Sequence, residues 1–442
     1  APLLSTLPND SLEPEGAVSI FQVDPVDVES PPVDDFPEFP GLIFEDDVPP
    51  VSIFKVQSSE EMDDTARFIH GEKLGTEITP HCGSCKCGKC PLPGHTYSFQ
   101  EEQELQLIQS KLRYDPDNLC WVAGYPWLVD PSTLADNYAA AYSTLCRTER
   151  TLEKDLAWKT TYQAQVDDHE KRGVARKLTP LELESYIGPR YYISHMALEQ
   201  PKSETTPVRF VFNSSQKYKG VSLNSCLAKG PDAYNNSLLG MLLRFRELPV
   251  VMIGDIRKMY NTVRLETMEQ HMHRFLWREC DLSRRPDVWV ITRVNLGDRP
   301  SGTIAITAKD NTARMFAHIC PEAASMLIYC TYTDDVISSI FTFPHGQFLA
   351  SKADEILALG GFAVKGWTFG GVGVPDSHKK AGPQQVLGAH YDAADDCLFF
   401  PAKLNFSEKR RGVPLGPNLT ADQVPGEIPS NLTRRIVLAQ VM

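Results

Sequence analysis

The feature that most constrains this fold is a Tyr-Thr-Asp-Asp tetrapeptide at residues 332–335, which lies between two apolar, β-prone runs. An acidic dipeptide in that position predicts a hairpin over residues 327–341 with the two aspartates at its turn. A second apolar run, at residues 250–256, predicts a buried strand that carries Asp255 near its end. If the strand and the hairpin lie side by side, three carboxylates surround one point.

Each of these acids also has an ordinary explanation. An aspartate after a strand is commonly a turn or helix cap, and Asp-Asp is a frequent turn dipeptide. Their combination on short, apolar, strand-like segments favours a metal site, because carboxylates at close range repel one another and need cations. Two magnesium ions would neutralise the acids and leave positions open for a triphosphate and a primer hydroxyl. From these residues we expect a nucleic-acid polymerase.

The negative charge of the chain is concentrated in one segment. The formal net charge is -13 at pH 7, which is unfavourable for a protein that binds nucleic acid. Residues 1–72 hold 17 acidic and two basic residues, whereas the remainder holds 40 acidic and 42 basic residues. The acidity therefore belongs to a tail, and the remainder can form a basic groove.

Composition also indicates an intracellular protein. No apolar run approaches the roughly 18 residues of a membrane-spanning helix, and no signal peptide opens the chain. Outside the segment 82–90, seven cysteines are scattered in apolar settings, as expected for reduced thiols. We expect a cytoplasmic or nuclear location and no membrane partner. Because the first residue is Ala1, we interpret the chain as a fragment or a processed product.

Hydrophobic periodicity predicts a fold of class α+β. Residues 99–185 read as mostly helical, including a helix from Glu101 to Leu112. From Tyr191 onward, strands and helices alternate. The predicted strands cover residues 208–212, 250–256 and 288–294, and the predicted helices cover residues 232–248, 266–279, 301–318 and 345–359. This alternation predicts a sheet that is covered by helices on one side.

Nine strings of residues follow one another from Tyr191 onward in a characteristic order. They are YYISHMALEQP (191–201), VRFVFNSS (208–215), SLNSCLAKGP (222–231), DIRKMY (255–260), RFLWREC (274–280), LGDRPSG (296–302), YTDD (332–335), GGFAVKGW (360–367) and VLGAHYD (386–392). In order and spacing they resemble the reverse transcriptase of BEL/Pao-type LTR retrotransposons, within the wider superfamily of retroelement polymerases. The region before the polymerase in such polyproteins is similar to three further strings, HCGSCKCGKCPLPGH (81–95), YPWLVDP (125–131) and RGVARKLT (172–179).

The resemblance implies a right-hand polymerase with fingers, palm and a partial thumb or connection, in which an antiparallel palm sheet is backed by helices. Together with composition it predicts five regions. These are a disordered, acidic and Pro-rich linker at 1–72, a Cys/His cluster at 73–98, a helical N-terminal extension at 99–186, fingers and palm at 187–386, and the primer grip with the start of the thumb or connection at 387–442. We expect the last region to be truncated.

The same resemblance implies roles for the acidic residues and their neighbours. Asp255, Asp334 and Asp335 match the carboxylates that bind two magnesium ions, and Ile256 matches the residue whose carbonyl contacts the nucleotide-bound ion. Lys365 matches a general acid that protonates the pyrophosphate leaving group. An exposed salt bridge is the alternative explanation for Lys365.

Further positions match residues that contact substrate and primer. Tyr260 corresponds to an aromatic gate that excludes a 2′-hydroxyl, although a core tyrosine is the alternative. Arg209 corresponds to an arginine on the triphosphate, Lys202 to an assisting lysine or a merely solvated one, and Arg299 to a contact with a phosphate or the template. Residues 387–389 (Leu387, Gly388 and Ala389) resemble the primer grip, where glycine allows close backbone approach.

A cysteine-rich segment predicts a second metal site. Six potential ligands lie within fifteen positions: His81, Cys82, Cys85, Cys87, Cys90 and His95. Cys-x-x-Cys pairs suit tetrahedral zinc, and one ion held by the four thiolates is the simplest arrangement. The alternative is a flexible, reduced cluster with incidental affinity for metal.

The leading hypothesis is an RNA-directed DNA polymerase module of a retrotransposon polyprotein, which uses two magnesium ions. Its partners would be an RNA template, a DNA primer, deoxynucleoside triphosphates and other parts of a Gag-Pol polyprotein. A second hypothesis is an inactive retroelement remnant that acts as a metal- or nucleic-acid-binding interaction protein. A third is an RNA-directed RNA polymerase, which shares the metal chemistry but tolerates ribonucleotides.

Overall fold

The protein is described by a computed structural model that covers residues 98–200, 207–231, 236, 238–399, 405–406, 409–410, 413–414 and 423. All of these residues belong to one compact unit, Thr79–Met442. The predicted linker at 1–72 and the cysteine cluster of Cys82, Cys85, Cys87 and Cys90 lie outside the described residues. Their predictions therefore stay predictions.

Nine α-helices occur in the described residues. They are α1 (Phe99–Ser110), α2 (Tyr138–Leu152), α3 (Leu156–Lys171), α4 (Pro180–Ser185), α5 (Leu238–Phe245), α6 (Thr267–Met272), α7 (Ser301–Met315), α8 (Pro321–Tyr329) and α9 (Phe343–Ala358). Local sequence explains several of their starts. A reciprocal capping box joins Ser98 to Glu101 at α1, and another joins Thr179 to Glu182 at α4, so both helices begin where their first amides find side-chain acceptors.

The strands of the same residues are short. They are β1 (Leu112–Asp115), β2 (Cys120–Ala123), β3 (Ala175–Lys177), β4 (Ser194–Glu199), β5 (Val208–Asn213), β6 (Val250–Ile256), β7 (Arg264–Leu265), β8 (Arg274–Trp277), β9 (Asp287–Ile291), β10 (Thr331–Tyr332), β11 (Asp335–Ile340), β12 (Val364–Gly371), β13 (Gln384–Val386), β14 (Ala389–Asp392), β15 (Cys397–Phe399), β16 (Lys409–Arg410) and β17 (Val413–Pro414). They form small sheets whose pairings are antiparallel except for β2 with β7. The fold is therefore mixed α/β with small sheets, whereas the right-hand division into fingers, palm and thumb stays a prediction.

A four-stranded antiparallel sheet, in the order β10-β11-β6-β12, has two different faces. Val250, Met252 and Val336 belong to the main hydrophobic core, where α8 and α9 pack on the sheet and α7 packs against those helices. Val251 and Ile337 point the other way, into a smaller core that also receives residues from α5 and the β13–β15 sheet. Alternation along a strand assigns odd-numbered residues of β6 and β11 to this second face.

The segment before residue 187 packs as part of the same core. Strand β2 pairs with β7, and β3 pairs with β9. Glu104 of α1 accepts hydrogen bonds from the backbone amides of Lys229 and Gly230, at 2.9 and 2.8 Å. These pairings cross the boundary that we placed between residues 186 and 187, so both sides contribute strands to shared sheets.

The prediction of one helix over residues 266–279 is wrong. Helix α6 covers only Thr267–Met272, and Arg274–Trp277 forms β8, all four residues of which are buried. Met272, Phe275 and Leu276 fit a helical period, but Phe275 and Leu276 lie in β8, which pairs with β9 and buries its apolar side chains within a sheet. Short apolar runs are ambiguous between helix and strand until their partner is known.

Other element boundaries also need correction. Leu112 belongs to β1 rather than to the preceding helix, and residues 99–185 contain three strands besides their helices. The predicted hairpin over 327–341 begins only at Thr331, because Leu327 lies in α8. The predicted helices at 301–318 and 345–359 are confirmed by α7 and α9, and the predicted strand at 250–256 is confirmed by β6. Within the described ranges, no helix is both long and apolar enough to cross a bilayer.

Candidate active site

The three predicted carboxylates meet at one end of the four-stranded sheet. In the pairing of β6 with β11, Asp255 lies directly opposite Asp335. Residues directly opposite in an antiparallel pair have Cβ atoms only about 5 Å apart, and like charges in that position destabilise the sheet. We call Asp255, Asp334 and Asp335 the acidic cluster. It lies on the second face of the sheet, with Val251 and Ile253.

The hairpin turn brings the third acid to the cluster. Tyr332 pairs with Asp335, so Thr333 and Asp334 alone form the turn. The backbone amide of Ile256 donates to the carbonyl oxygen of Asp334 at 2.8 Å, which ties the turn to β6. Thr333 has a φ of 56°, a left-handed conformation that strains a β-branched residue.

Burial and mutual repulsion perturb the protonation of the cluster. The pKa of Asp335 is raised to about 6, because partial burial disfavours its charge and the carboxylates of Asp334 and Asp255 repel it. The pKa of Asp334 is raised too, by burial and by the nearby Asp255 carboxylate. Lys365 opposes both shifts. The charge of Lys365 therefore does not fully offset the burial and repulsion that raise the pKa values of Asp334 and Asp335.

Lys365 is the cation that faces this cluster in the described structure. Its Nζ donates to Oδ2 of Asp255 at 2.8 Å, and the lysine side chain is 56% exposed. A β-bulge aims it there: Val364 pairs with Ile256 and Trp367 with Gly254, so two residues of β12 oppose Asp255. The exposed salt bridge that we considered for Lys365 is thus present, and its acceptor is one of the candidate metal ligands.

The donor set of the acidic cluster suits magnesium. Three hard carboxylates converge, and Oδ1 of Asp255 is buried with no hydrogen-bond donor among the described residues. In that same part of the chain, however, no three His, Cys, Asp or Glu side chains are arranged as a finished ligand shell. Lys365 occupies one of the two oxygens that Asp255 would offer a cation. The residue types and the strand pairing of the cluster suit magnesium, but the side chains would have to rearrange to bind it.

Gly254, next to Asp255, is required by the packing of Trp367. A Cβ added at Gly254 would lie 2.8 Å from the Trp367 ring, closer than real side chains approach. Nε1 of Trp367 donates to Oδ1 of Asp354 on α9 at 3.1 Å, which holds the ring in place. The indole thus supports the backbone beside the acidic cluster, and the sequence offered no signal for this contact.

Tyr260 lies in a 3-10 turn, Met259–Thr262, that follows β6. The chain enters this turn through Lys258 in a left-handed conformation, with a φ of 48°. Tyr260 is half-buried and packs against the main core. A Cβ at Gly302, in the first turn of α7, would lie 4.0 Å from its hydroxyl oxygen. Tyr260 therefore lies partly in the core, as in the alternative interpretation, while its hydroxyl faces α7.

Residues Leu387, Gly388 and Ala389 form a tight hairpin turn beside the sheet. Val386 pairs with Ala389, and the two residues between them have φ values of 49° and 85°. Two successive positive φ values are the geometry of a two-residue turn that matches strand twist. Leu387 packs into the smaller core together with Tyr332, the residue that precedes the acidic turn. The segment predicted as a primer grip therefore lies on the same face as the acidic cluster.

The two arginines predicted to bind substrate or template, Arg209 and Arg299, are not brought into the acidic cluster. Arg209 is exposed on β5, in a two-stranded sheet with β4. Arg299 is exposed before α7, and its backbone amide donates to Oδ1 of Asn224 at 2.9 Å. Within the described ranges, neither side chain forms an ion pair with an acid of the cluster. Lys202 lies outside the described residues.

Sequence reasoning missed a buried aspartate in the string LGDRPSG. Asp298 is only 5% exposed, and its carboxylate contacts Tyr125, Ser214 and His273. We call these four residues the Asp298 network. An aspartate among glycine and proline is typical of an exposed turn, so the sequence carried no signal of burial.

No protein-family model and no curated protein matches this chain. Solved structures do resemble it. The foamy viral protease-reverse transcriptase in complex with double-stranded DNA matches with a TM-score of 0.40 and 14% identity, over 87% of this chain and 49% of that one. The foamy viral protease-reverse transcriptase in complex with RNA/DNA hybrid matches with a TM-score of 0.39 and 14% identity, over 87% of this chain and 37% of that one. A prototype foamy virus protease-reverse transcriptase mutant matches with a TM-score of 0.35 and 15% identity, over 48% of this chain and 24% of that one. The chain thus spans half or less of these proteins, and the likeness is distant.

Proposed function

We propose that this protein is an RNA-directed DNA polymerase of the BEL/Pao retrotransposon type. The observation that carries the proposal is the register that sets Asp255 opposite Asp335, with Asp334 at the adjoining turn. Three acids from two distant segments converge although their repulsion destabilises the sheet. Such a cost is expected where divalent cations bind. The nine strings quoted from this sequence supply the polymerase assignment.

Asp255, Asp334 and Asp335 would hold magnesium, with the Ile256 carbonyl as a further oxygen ligand. Bound magnesium would acidify the primer hydroxyl and stabilise the charge that develops on the transferred phosphoryl group. Lys365, whose Nζ contacts Asp255 from β12, would donate a proton to a leaving pyrophosphate. The chain itself supplies positioning, since β6 and β11 fix the acids on one face.

Other residues would hold the substrates in this arrangement. The Tyr260 ring would lie under the incoming sugar, where a 2′-hydroxyl would clash with it. The hairpin turn at 387–389 would press the primer terminus toward the acids. Arg209 and Lys202 would bind the triphosphate, and Arg299 a phosphate or the template strand, because guanidinium and ammonium groups suit these anions.

The wider setting is part of the same proposal. Partners would be an RNA template, a DNA primer, deoxynucleoside triphosphates and other segments of a Gag-Pol polyprotein. The protein would act in the cytoplasm, within a retroelement particle, or in the nucleus. The cysteines at 82, 85, 87 and 90 would bind one zinc ion.

Primer extension tests the central proposal. The full chain is incubated with an RNA template, a DNA primer, magnesium and either deoxy- or ribonucleotides. We expect magnesium-dependent incorporation of deoxynucleotides, and a loss of about 1000-fold or more in Asp334→Asn. Lys352→Gln is the control for a charge change elsewhere, because Lys352 pairs with Glu355 within α9.

The outcomes separate the competing functions. Binding of primer–template without any synthesis would favour the inactive remnant. Equal use of ribonucleotides would favour an RNA polymerase. Synthesis that persists in Asp334→Asn would show that the acidic cluster is not the catalytic site.

A further inference from the structure

The Asp298 network joins four segments that are distant in sequence. Oδ2 of Asp298 accepts a hydrogen bond from the Tyr125 hydroxyl at 2.6 Å, and Oδ1 accepts one from the Ser214 hydroxyl. Nδ2 of Asn295 lies 3.4 Å from Oδ1. Tyr125 follows β2, Ser214 follows β5, and His273 lies between α6 and β8. One carboxylate thus connects all of them to the loop before α7.

The geometry indicates that the His273–Asp298 pair is ionic. Nδ1 of His273 lies 2.6 Å from the carbonyl oxygen of Glu269, and Nε2 lies 3.1 Å from Oδ2 of Asp298. Nε2 is buried and does not meet hydrogen-bond geometry with any described residue, so its contact with Asp298 is one of charge, and a carboxylate on one side with a carbonyl on the other favours a ring that carries both protons. Burial alone would lower the pKa of His273, but the Asp298 charge and the Glu269 carbonyl raise it. Burial alone would raise the pKa of Asp298, but His273 and the hydroxyl donors lower it.

The network fixes the start of α7. The amide of Asp298 donates to the carbonyl of Asn295 at 3.3 Å, and the amide of Ser301 donates to the carbonyl of Asp298 at 3.2 Å. The hydroxyl of Ser301 closes the same loop by donating to Asn295 at 2.6 Å. The next residue is Gly302, where an added Cβ would lie 4.0 Å from the Tyr260 hydroxyl oxygen. Asp298 is therefore hydrogen-bonded into the loop that leads to the residue of α7 beside Tyr260.

Stability does not by itself explain an ion pair at this place. Replacing a buried ion pair by apolar residues of similar volume is often neutral or stabilising, so such a pair is weak evidence for a stabilising role. A pair that orients one loop among several alternatives is a better-supported use of buried charge. Here the oriented loop leads directly to the surface that faces Tyr260.

We propose that Asp298, held by His273, is a positioning residue that sets the gap between the first turn of α7 and Tyr260, and thereby the selection of deoxy- over ribonucleotides. The inference rests on the proposed polymerase function and assigns it a specificity determinant that touches no substrate. When the network is intact, Tyr260 cannot withdraw toward α7. When it is broken, the loop relaxes and the sugar site widens.

The test compares Asp298→Asn with Glu149→Gln. Glu149 forms another buried ion pair, with Arg278 at 2.7 Å, and lies on α2 rather than in the loop before α7. For each protein, the ratio of deoxy- to ribonucleotide incorporation and the separate kcat and KM values are measured, together with the unfolding midpoint. We expect the ratio to fall roughly tenfold in Asp298→Asn, mainly through a lower KM for the ribonucleotide. Glu149→Gln should lower the midpoint and leave the ratio unchanged.

A milder pair of variants covers the case in which Asp298→Asn fails to fold. Ser214→Ala removes one donor to Asp298, and Thr148→Val removes a comparable buried hydroxyl that donates to the carbonyl of His195 at 3.1 Å. A smaller fall of the ratio is expected in Ser214→Ala only. Suppose that the wild type prefers deoxynucleotides and that the incorporation ratio is unchanged in a folded Asp298→Asn or in Ser214→Ala. That result would overturn this inference and leave the polymerase proposal standing. If the wild type extends no primer, both this inference and the polymerase proposal are contradicted.

Discussion

The acidic cluster and the Asp298 network place carboxylates in opposite physical situations. In the cluster, three half-buried acids face one another, and Lys365 is the cation that contacts them. In the network, a single fully buried acid receives two hydroxyl donors and a charged imidazole. The network pairs its buried acid with donors and a cationic ring from the protein itself, whereas the cluster needs further positive charge to offset its three acids. This difference separates a site that binds a ligand from one that holds the protein in shape.

The largest expected effect concerns stability, which should change in opposite directions at the two sites. Asp298→Asn leaves a buried imidazolium unpaired and should lower the free energy of unfolding by about 3–5 kcal/mol. Asp335→Asn removes repulsion between opposed strands and should raise it by about 0.2–1 kcal/mol in the presence of a chelator. Urea denaturation of both variants measures these differences.

Magnesium should increase the difference in stability between variants of the two sites. Added magnesium should stabilise the wild type and Asp298→Asn, because both retain the acidic cluster, but it should stabilise Asp335→Asn much less. If Asp335→Asn destabilised the chelated protein as strongly as Asp298→Asn does, the acidic cluster would be a satisfied structural network instead.

An intermediate effect is expected from the lysine at the cluster. Because Lys365 occupies Oδ2 of Asp255, Lys365→Gln should bind a divalent cation several-fold more tightly, about two- to tenfold, in the absence of nucleic acid. Manganese binding followed by electron paramagnetic resonance measures the affinity directly. Lys352→Gln, which removes a lysine from an ordinary surface pair, should bind manganese as the wild type does. Weaker binding by Lys365→Gln would mean that the lysine supports the metal site and does not compete with it.

The smallest expected effect is a pH dependence that belongs to the Asp298 network. The titratable groups that face His273 are Asp298 from the loop before α7, Tyr125 from the segment after β2, and Glu269 from α6. Since the pKa of His273 is raised in the folded state, its stabilisation is fully present below its unfolded value of about 6.5 and is lost as pH rises through the folded value.

Urea denaturation between about pH 6 and about pH 9 measures this dependence. The stability difference between wild type and Asp298→Asn should shrink as pH rises, because the variant has already lost the ionic partner. A difference that stays constant over this range would show that His273 does not carry the charge that its two acceptors indicate.

Sequence patterns anticipated the acidic site better than its surroundings. The apolar run beside Asp255 predicted a strand, and Asp255 lies in β6, whereas Asp335, which we predicted at the hairpin turn, is instead the first residue of β11. By contrast, the helical spacing at 266–279 gave a wrong prediction, because β9 recruits the second half of that segment into a sheet. No local pattern indicated that Asp298 is buried, because its partners at 125, 214 and 273 are separated from it by many residues of chain.

The amino-acid sequence by itself determined the chemistry that is available: which runs are apolar, where the acids fall at strand ends, and where helices such as α7 and α9 form. Only the tertiary structure decided that Asp255 faces Asp335 in register, that both lie on the face opposite α8 and α9, and that Asp298 is enclosed by hydroxyls and an imidazole. The physical reason is that periodicity and capping act between near neighbours, whereas strand pairing and burial of charge depend on remote segments that satisfy one another's hydrogen bonds.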